Sequence, residues 1–263
     1  MRDHPGALPL TSPAGPARSA RTLVILPALN EEAALTDVLR ELARSCPHLD
    51  VLVVDDGSTD RTAAVARAER VPVAVLPFNL GVGGALQTGF RYAVSHGYGR
   101  AVQFDADGQH DPSQVPALLA ALDEGADLVI GSRFSAPDEG SEYSVGRLRG
   151  GAMGVLRLAV RVLSGRKFTD TSSGFRAFSA PLLAFYAADY PNEYLGDTVE
   201  ALLRACQAGF RVVEVPVTMR VRAAGTPSTQ NFRLAYHYLR ALLSLLSRAP
   251  IRRRERALRR AVR

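Results

Sequence analysis

Apolar residues in the first half of the chain follow two alternating patterns. Short aliphatic runs read as strands: TLVILPAL (22–29), DVLVVDD (50–56), VPVAVLP (71–77), RAVQFDAD (100–107) and ADLVIGSR (126–133). Segments with helical spacing lie between them. In EEAALTDVLRELARSC (31–46), Leu35, Val38, Leu39 and Leu42 fall on one face. Ser58 or Thr59 is placed to cap a helix through STDRTAAVARAER. A Gly-rich turn, NLGVGG (79–84), opens the helix ALQTGFRYAVSHG, and Pro112 suits the first turn of DPSQVPALLAALDEG.

Strand and helix alternating at this spacing predict an α/β fold, a mostly parallel sheet with helices on both faces. Ligands in such sheets bind at the carboxyl ends of the strands. Asn30, Asp55, Asp56, Asn79, Asp105, Asp107 and Arg133 all fall there. The second half is less regular. Residues 143–165 have helical character interrupted by Gly150, Gly151 and Gly154. FTDTSSGFRAFS (168–179) reads as a loop leading into a short strand. GDTVEALLRACQAGF (196–210) reads as a helix with Asp197 or Thr198 near its start, and RVVEVPVTMRVR (211–222) as one strand or two broken at Pro216. No linker divides residues 21–228. Residues 1–20, rich in Pro, Ala and Gly, read as a disordered leader.

Composition changes this picture little; charge changes it more. The 263 residues are 47% hydrophobic, enough for a substantial core. Formal net charge is +6, but the final 13 residues, IRRRERALRRAVR, hold seven Arg against one Glu. The rest of the chain is therefore neutral, and a nucleic-acid partner is not expected. In NFRLAYHYLRALLSLLSR (231–248), Phe232, Ala235, Tyr236, Leu239, Leu242, Leu243 and Leu246 follow helical spacing. With the Arg cluster behind it, the segment 229–263 is read as an amphipathic helix and basic tail. It suits a membrane interface or membrane-protein partner, or equally a helix that docks on the protein's own core or on a second copy of the chain. No run reaches 18 apolar residues. Cys46 and Cys206 belong to no CxxC pattern and read as reduced thiols. The expected location is cytoplasmic, peripheral at the inner face of the cell membrane.

The chemistry concentrates in FDADGQH (104–110). Asp105, Asp107 and Gln109 supply hard oxygen ligands suited to Mg²⁺ or Mn²⁺, which would offset the charge of a diphosphate leaving group. The alternative is a loop whose carboxylates only cap the next helix. VDDGSTD (54–60) adds a second acidic pair, whose carboxylate suits the imide N–H of uracil or the N1–H and amino group of guanine. Arg133 and Arg222 are phosphate candidates.

VILPALNEE, VVDDGSTD, NLGVGGALQTG, FDADGQH, GSR and SGFRAF stand in the order and spacing of family 2 inverting glycosyltransferases. Over residues 21–228 the chain resembles that family. Within it the chain is most similar to the dolichyl-phosphate mannose synthase and polyprenyl-phosphate glycosyltransferase group. The resemblance implies a GT-A (Rossmann-like) fold and a nucleotide-sugar donor of UDP or GDP type. It implies that Pro27, Ala28, Leu29, Glu31, Asp56 and Asp105 hold the nucleotide. Asp105, Asp107 and Gln109 would bind the metal and donor diphosphate. Arg133 and Arg222 would face phosphates, and Arg176 would lie near the donor sugar or acceptor phosphate. Two residues depart from that group's pattern: Leu29 stands where an aromatic is frequent, and Pro227 where a Ser is usual.

The catalytic candidates are Asp107 and Asp197. A hydroxyl acceptor on a glycan needs a base, for which Asp197 and Glu200 are placed one helical turn apart. A lipid-phosphate acceptor needs none, because its second pKa is about 6. Asp197 reads equally as a helix N-cap. Two other readings compete: a retaining transferase acting on a small phosphorylated acid, and an inactive scaffold of the same fold.

Overall fold

The protein is described by a computed structural model over residues 21–134, 154, 157–158, 160–191 and 197–220. The leader, Arg222 and the segment 229–263 lie outside these residues.

Strands β1 (Thr22–Ala28), β2 (Asp50–Asp55), β3 (Val73–Val75), β4 (Arg100–Gln103), β5 (Leu128–Ser132), β6 (Arg176–Ser179) and β7 (Val212–Pro216) form one sheet in the order β3-β2-β1-β4-β6-β5-β7. All pairings are parallel except those of β6, which runs antiparallel between β4 and β5. The first residue of β6, Arg176, therefore lies opposite Gln103 at the end of β4. Three expected strands, β3, β4 and β5, are shorter than the sequence pattern predicts by three residues or more. Pro72 and Pro77, which lack an N–H, flank β3. β4 stops at Gln103, so Asp105 and Asp107 sit on the turn beyond it.

Side chains alternate between two cores. Leu23, Ile25, Leu52, Val54, Leu128 and Ile130 face α3 (Gly81–Ser95), α5 (Ala180–Ala188) and α6 (Asp197–Gln207). Val24, Leu26, Val53, Val102 and Val129 face α1 (Glu32–Ser45), α2 (Thr62–Ala68) and α4 (Val115–Asp123). A strand buried on both sides reads as a continuous apolar run, which is why β1 shows no polar alternation. α3 begins at Gly81, earlier than expected, and takes most of the Gly-rich turn into its first turn. α5 has no counterpart in the sequence reading. It carries Tyr186, whose hydroxyl donates to the Ala201 carbonyl and whose ring packs with Phe90, Phe178 and Tyr190. Cys46 and Cys206 are free thiols, and burial pushes Cys206 up to about 11. Among the described residues no helix is long and apolar enough to cross a membrane.

Gly89 lets α3 approach β1 closely: a Cβ there would stand 2.4 Å from Ile25 Cγ2. Gly89→Ala gains about 1 kcal/mol of helix propensity. It is nevertheless expected to lower stability by about 1–3 kcal/mol, because the β-branched Ile25 cannot rotate away. A lower urea midpoint is the expected result, and in a double-mutant cycle Gly89→Ala should cost less in an Ile25→Ala background than in the wild type.

Candidate active site

The carboxyl edge of the sheet is built from four loops. The first two, after β1 and β2, are fastened to each other. Asn30 has a φ of 56° and accepts from the Thr59 amide through Oδ1, while its own amide donates to Ser58 Oγ. Asp60 receives the Glu32 amide at the start of α1 and the Thr62 amide at the start of α2. Capping of both helices thus falls to Asp60. Ser58 and Thr59, the expected caps, are used instead to hold Asn30. Pro27 is half-buried, Ala28 buried and Leu29 40% exposed, and Glu31 is the residue from which α1 starts.

Asp56 is buried at the N-terminus of α3. Its Oδ1 accepts the Leu80 amide at 2.7 Å. Burial raises its pKa above the ordinary value, and the Leu80 and Gly81 amides partly offset that. Gly57, at φ 73°, lies against the backbone of Phe78 and Asn79, where a Cβ would approach to 2.7 Å. This contact keeps the 78–80 loop beside the acidic pair.

The third loop holds Asp105, Asp107 and Gln109. Phe104 still donates to Ile25 O in the manner of a strand, but the next amide, Asp105 N–H, goes to His110 Nδ1 at 3.1 Å. That bond ends β4 and turns the chain. Asp107 Oδ1 accepts the Gln109 amide at 3.0 Å, and Gly108 takes φ 77°. The side chain of Asp105 is 37% exposed. Among the described residues its carboxylate accepts no hydrogen bond. Its close neighbours are His110 Nε2 at 3.5 Å and the backbone of Gly174, where a Cβ would come within 2.7 Å of Oδ2. Burial holds the His110 imidazole below the ordinary value, against the opposing pull of Asp105 and Asp107.

The fourth loop leads into β6 and is the part that sequence reasoning missed. Asp170, fully buried, accepts Nε and Nη2 of Arg133 at 2.6 and 2.9 Å. Glu214 of β7 takes the amides of Thr169 and Asp170. Burial alone would raise the Asp170 pKa; the Arg133 guanidinium outweighs it and holds the carboxyl below the ordinary value. Arg133 also reaches Ser172 Oγ. The expected phosphate ligand is therefore first a partner of a buried carboxylate. Arg176, expected near the donor sugar or acceptor phosphate, is 1% exposed. It donates to the carbonyls of Ser173, Thr198 and Thr171. Its role here is to tie the start of α6, where Asp197 is the first residue, to the sheet edge. Glu200, the other base candidate, is buried and paired with Arg204 at 3.2 Å. The Asp of FTDTSSGFR next to a strand-end Arg was the available signal for the Arg133 pair.

The donor set fits a hard divalent cation. No group of three or more His, Cys, Asp and Glu side chains converges among the described residues. By donor type, the Asp105 and Asp107 carboxylates and the Gln109 amide offer the hard oxygen atoms that Mg²⁺ and Mn²⁺ take.

An α/β sheet with acidic turns at one edge, one of them an Asp-x-Asp, defines the class that the comparisons make specific. Residues 23–186 match the family described as Glycosyl transferase family 2, and the chain belongs to it: this is a glycosyltransferase. The chain is 38% identical over 211 residues to the undecaprenyl-phosphate mannosyltransferase of Micrococcus luteus, spanning 78% of this chain and 86% of that one. It is 35% identical over 230 residues to the polyprenol monophosphomannose synthase of Mycolicibacterium smegmatis, covering 82% and 84%. Among solved structures, glucosyl-3-phosphoglycerate synthase of Mycobacterium tuberculosis, in complex with Mn²⁺, UDP and glucosyl-3-phosphoglycerate, superposes with a TM-score of 0.68. Identity there is 26%, over 88% of this chain and 80% of that one.

Asp170→Asn leaves the Arg133 charge without its partner and is expected to cost about 3 kcal/mol or more at pH 7. The folded pKa of Asp170 is depressed. Its stabilisation is therefore present above the unfolded value of about 3.9 and is lost as pH falls through the folded one. The stability gap between wild type and variant, from urea unfolding, should stay flat from pH 8 to about 5 and narrow below about 4.

Proposed function

We propose that the protein moves a sugar from a nucleoside-diphosphate sugar to a polyprenyl phosphate, with inversion and with the help of Mg²⁺ or Mn²⁺. The observation that carries the reading is the turn after β4. Asp105 offers a carboxylate that accepts no hydrogen bond among the described residues, at the edge where α/β sheets bind ligands. The named acceptors of the two bacterial relatives support the lipid phosphate. The Mn²⁺ and UDP of the solved neighbour support the donor class.

In this reading Asp105, Asp107 and Gln109 hold the cation. When bound, it offsets the charge of the departing nucleoside diphosphate. Pro27, Ala28, Leu29, Glu31 and Asp56 line the nucleotide side. The Asp56 carboxylate, braced by the 78–80 loop, reads an N–H on uracil or guanine. The acceptor phosphate oxygen attacks the anomeric carbon, the bond to the diphosphate breaks, and the nucleotide carries away the electron pair. A monoester with a second pKa of about 6 is already anionic, so no proton need be removed. Asp197 then orients rather than deprotonates. Arg133, fixed by Asp170, and Arg222 lend positive charge to the phosphates. The acceptor places the reaction at a lipid surface, which the segment 229–263 is proposed to engage. Self-association through that segment is the alternative.

The solved neighbour raises a second reading, retaining transfer to a small phosphorylated acid. Incubating the protein and Mn²⁺ with GDP-mannose, UDP-glucose or UDP-N-acetylglucosamine and either undecaprenyl phosphate or 3-phosphoglycerate separates the two. NMR of the product's anomeric centre fixes the stereochemistry. Transfer only to the phosphoglycerate, or retention, overturns the proposal. Asp107→Ala is expected to lower turnover at least a hundredfold, about 2.7 kcal/mol of barrier, while the protein stays folded and loses only the stability of the Gln109 amide bond, about 1 kcal/mol. Asp197→Asn should keep more than a tenth of wild-type turnover on the lipid phosphate. A loss as deep as that of Asp107→Ala would point to a hydroxyl acceptor and a required base.

A further inference from the structure

We infer that His110 is a positioning residue for the Asp105 carboxylate, acting through both ring nitrogens; this rests on the cation reading above. The ring is 2% exposed and fixed in plane. It stacks on Phe175 with centroids 4.8 Å apart and an interplanar angle of 19°, and meets Phe104 edge-on at 5.3 Å. Nδ1 accepts the Asp105 amide, so the ring proton of the neutral imidazole is on Nε2. That buried Nε2–H has no hydrogen-bond partner among the described residues. A buried donor without an acceptor is rare in a folded chain and asks for an explanation.

The acceptor in reach is Asp105 Oδ2 at 3.5 Å, beyond a good hydrogen bond by a few tenths of an ångström. On another side of the same carboxylate stands the Gly174 backbone. Asp105 is thus held in a slot with one wall that donates and one that only excludes. A small shift of the carboxylate closes the Nε2–H bond to Oδ2 and leaves its other lone pairs for the cation. His110 fixes the backbone of Asp105 through Nδ1 and the direction of its carboxylate through Nε2–H. Side chains that orient a metal ligand in this way are usually worth 10–100-fold in metal affinity.

The two nitrogens can be separated by substitution. In His110→Asn the amide oxygen can replace Nδ1 as acceptor, with nothing at the Nε2 position. In His110→Gln the amide N–H can replace Nε2 as donor, with the Nδ1 bond lost. His110→Phe keeps the ring and loses both. Mn²⁺ is titrated into each full-length protein with GDP and with UDP, reading free Mn²⁺ by electron paramagnetic resonance, beside its melting temperature. The inference expects the two orders to cross. His110→Asn should melt closer to wild type yet bind Mn²⁺ at least tenfold more weakly, and His110→Gln should melt lower yet bind more nearly as wild type does. His110→Phe should bind at least tenfold more weakly. If affinity follows melting temperature, or no folded variant changes affinity, His110 is a structural histidine only and the inference fails. If the wild type itself takes up no Mn²⁺ with either nucleotide, the cation reading fails first and this inference with it.

Discussion

Parallel strands ending together leave a row of backbone amides with no further strand to receive them, and each needs an acceptor. Most of the acids at the carboxyl edge answer this need. Asp55 takes the Ser58 amide, Asp56 that of Leu80, and Asp60 those of Glu32 and Thr62. Asp107 takes the Gln109 amide, Asp111 that of Ser113 and Glu214 those of Thr169 and Asp170. Against that background Asp105 differs. Its own amide is received by an imidazole, and among the described residues its carboxylate receives none. A carboxylate that the scaffold has not already used keeps all its lone pairs for a ligand, whereas Asp107 keeps only those the Gln109 amide leaves. That distinction separates Asp105 from its acidic neighbours more sharply than the Asp-x-Asp spacing does.

The same requirement explains the buried arginines. Loops that bend at the edge also strand carbonyls, and a guanidinium has five donors in a fixed fork. Arg176 spends its donors on three carbonyls, so its positive charge is spread over backbone dipoles. Arg133 differs in having a carboxylate for its main partner. Pairing with Asp170 lowers its net field but fixes its plane, which is what positioning a planar donor beside a phosphate requires.

How much of this could be read in the sequence follows from which forces were local. The first five strands and the helices between them were legible, because a strand buried on both faces must be apolar throughout and the intervening amphipathic spacing is a local property. The position of the acidic turns followed from those strand ends. The ends themselves were less legible. RAVQFDAD looks extended to Asp107, yet β4 stops at Gln103 because His110, seven residues on, claims the Asp105 amide. The direction of β6 was not legible, since a four-residue strand carries no mark of its partner's polarity. Nor were the Arg133–Asp170 pair and the burial of Arg176, because both depend on which distant loops the reversed strand brings together. Charge type suggested a phosphate ligand for Arg133 and the family resemblance a place near donor sugar or acceptor phosphate for Arg176; the packing shows their protein partners.

The reversed strand also gives the run SGFR its physical meaning. Because β6 enters the sheet at the carboxyl edge, the residues before it pass directly beside the turn after β4. Ser173 Oγ accepts the Phe175 amide and tightens the approach. Gly174 stands where any side chain would strike the Asp105 carboxylate. Phe175 lies under the His110 ring and gives its carbonyl to the Gly131 amide of β5. Arg176 then ties the loop to the first turn of α6. A parallel strand in the same place would enter from the opposite edge and leave Asp105 and His110 without either wall. The one antiparallel strand is thus the element through which the second half of the chain shapes a site whose candidate cation ligands all lie in the first.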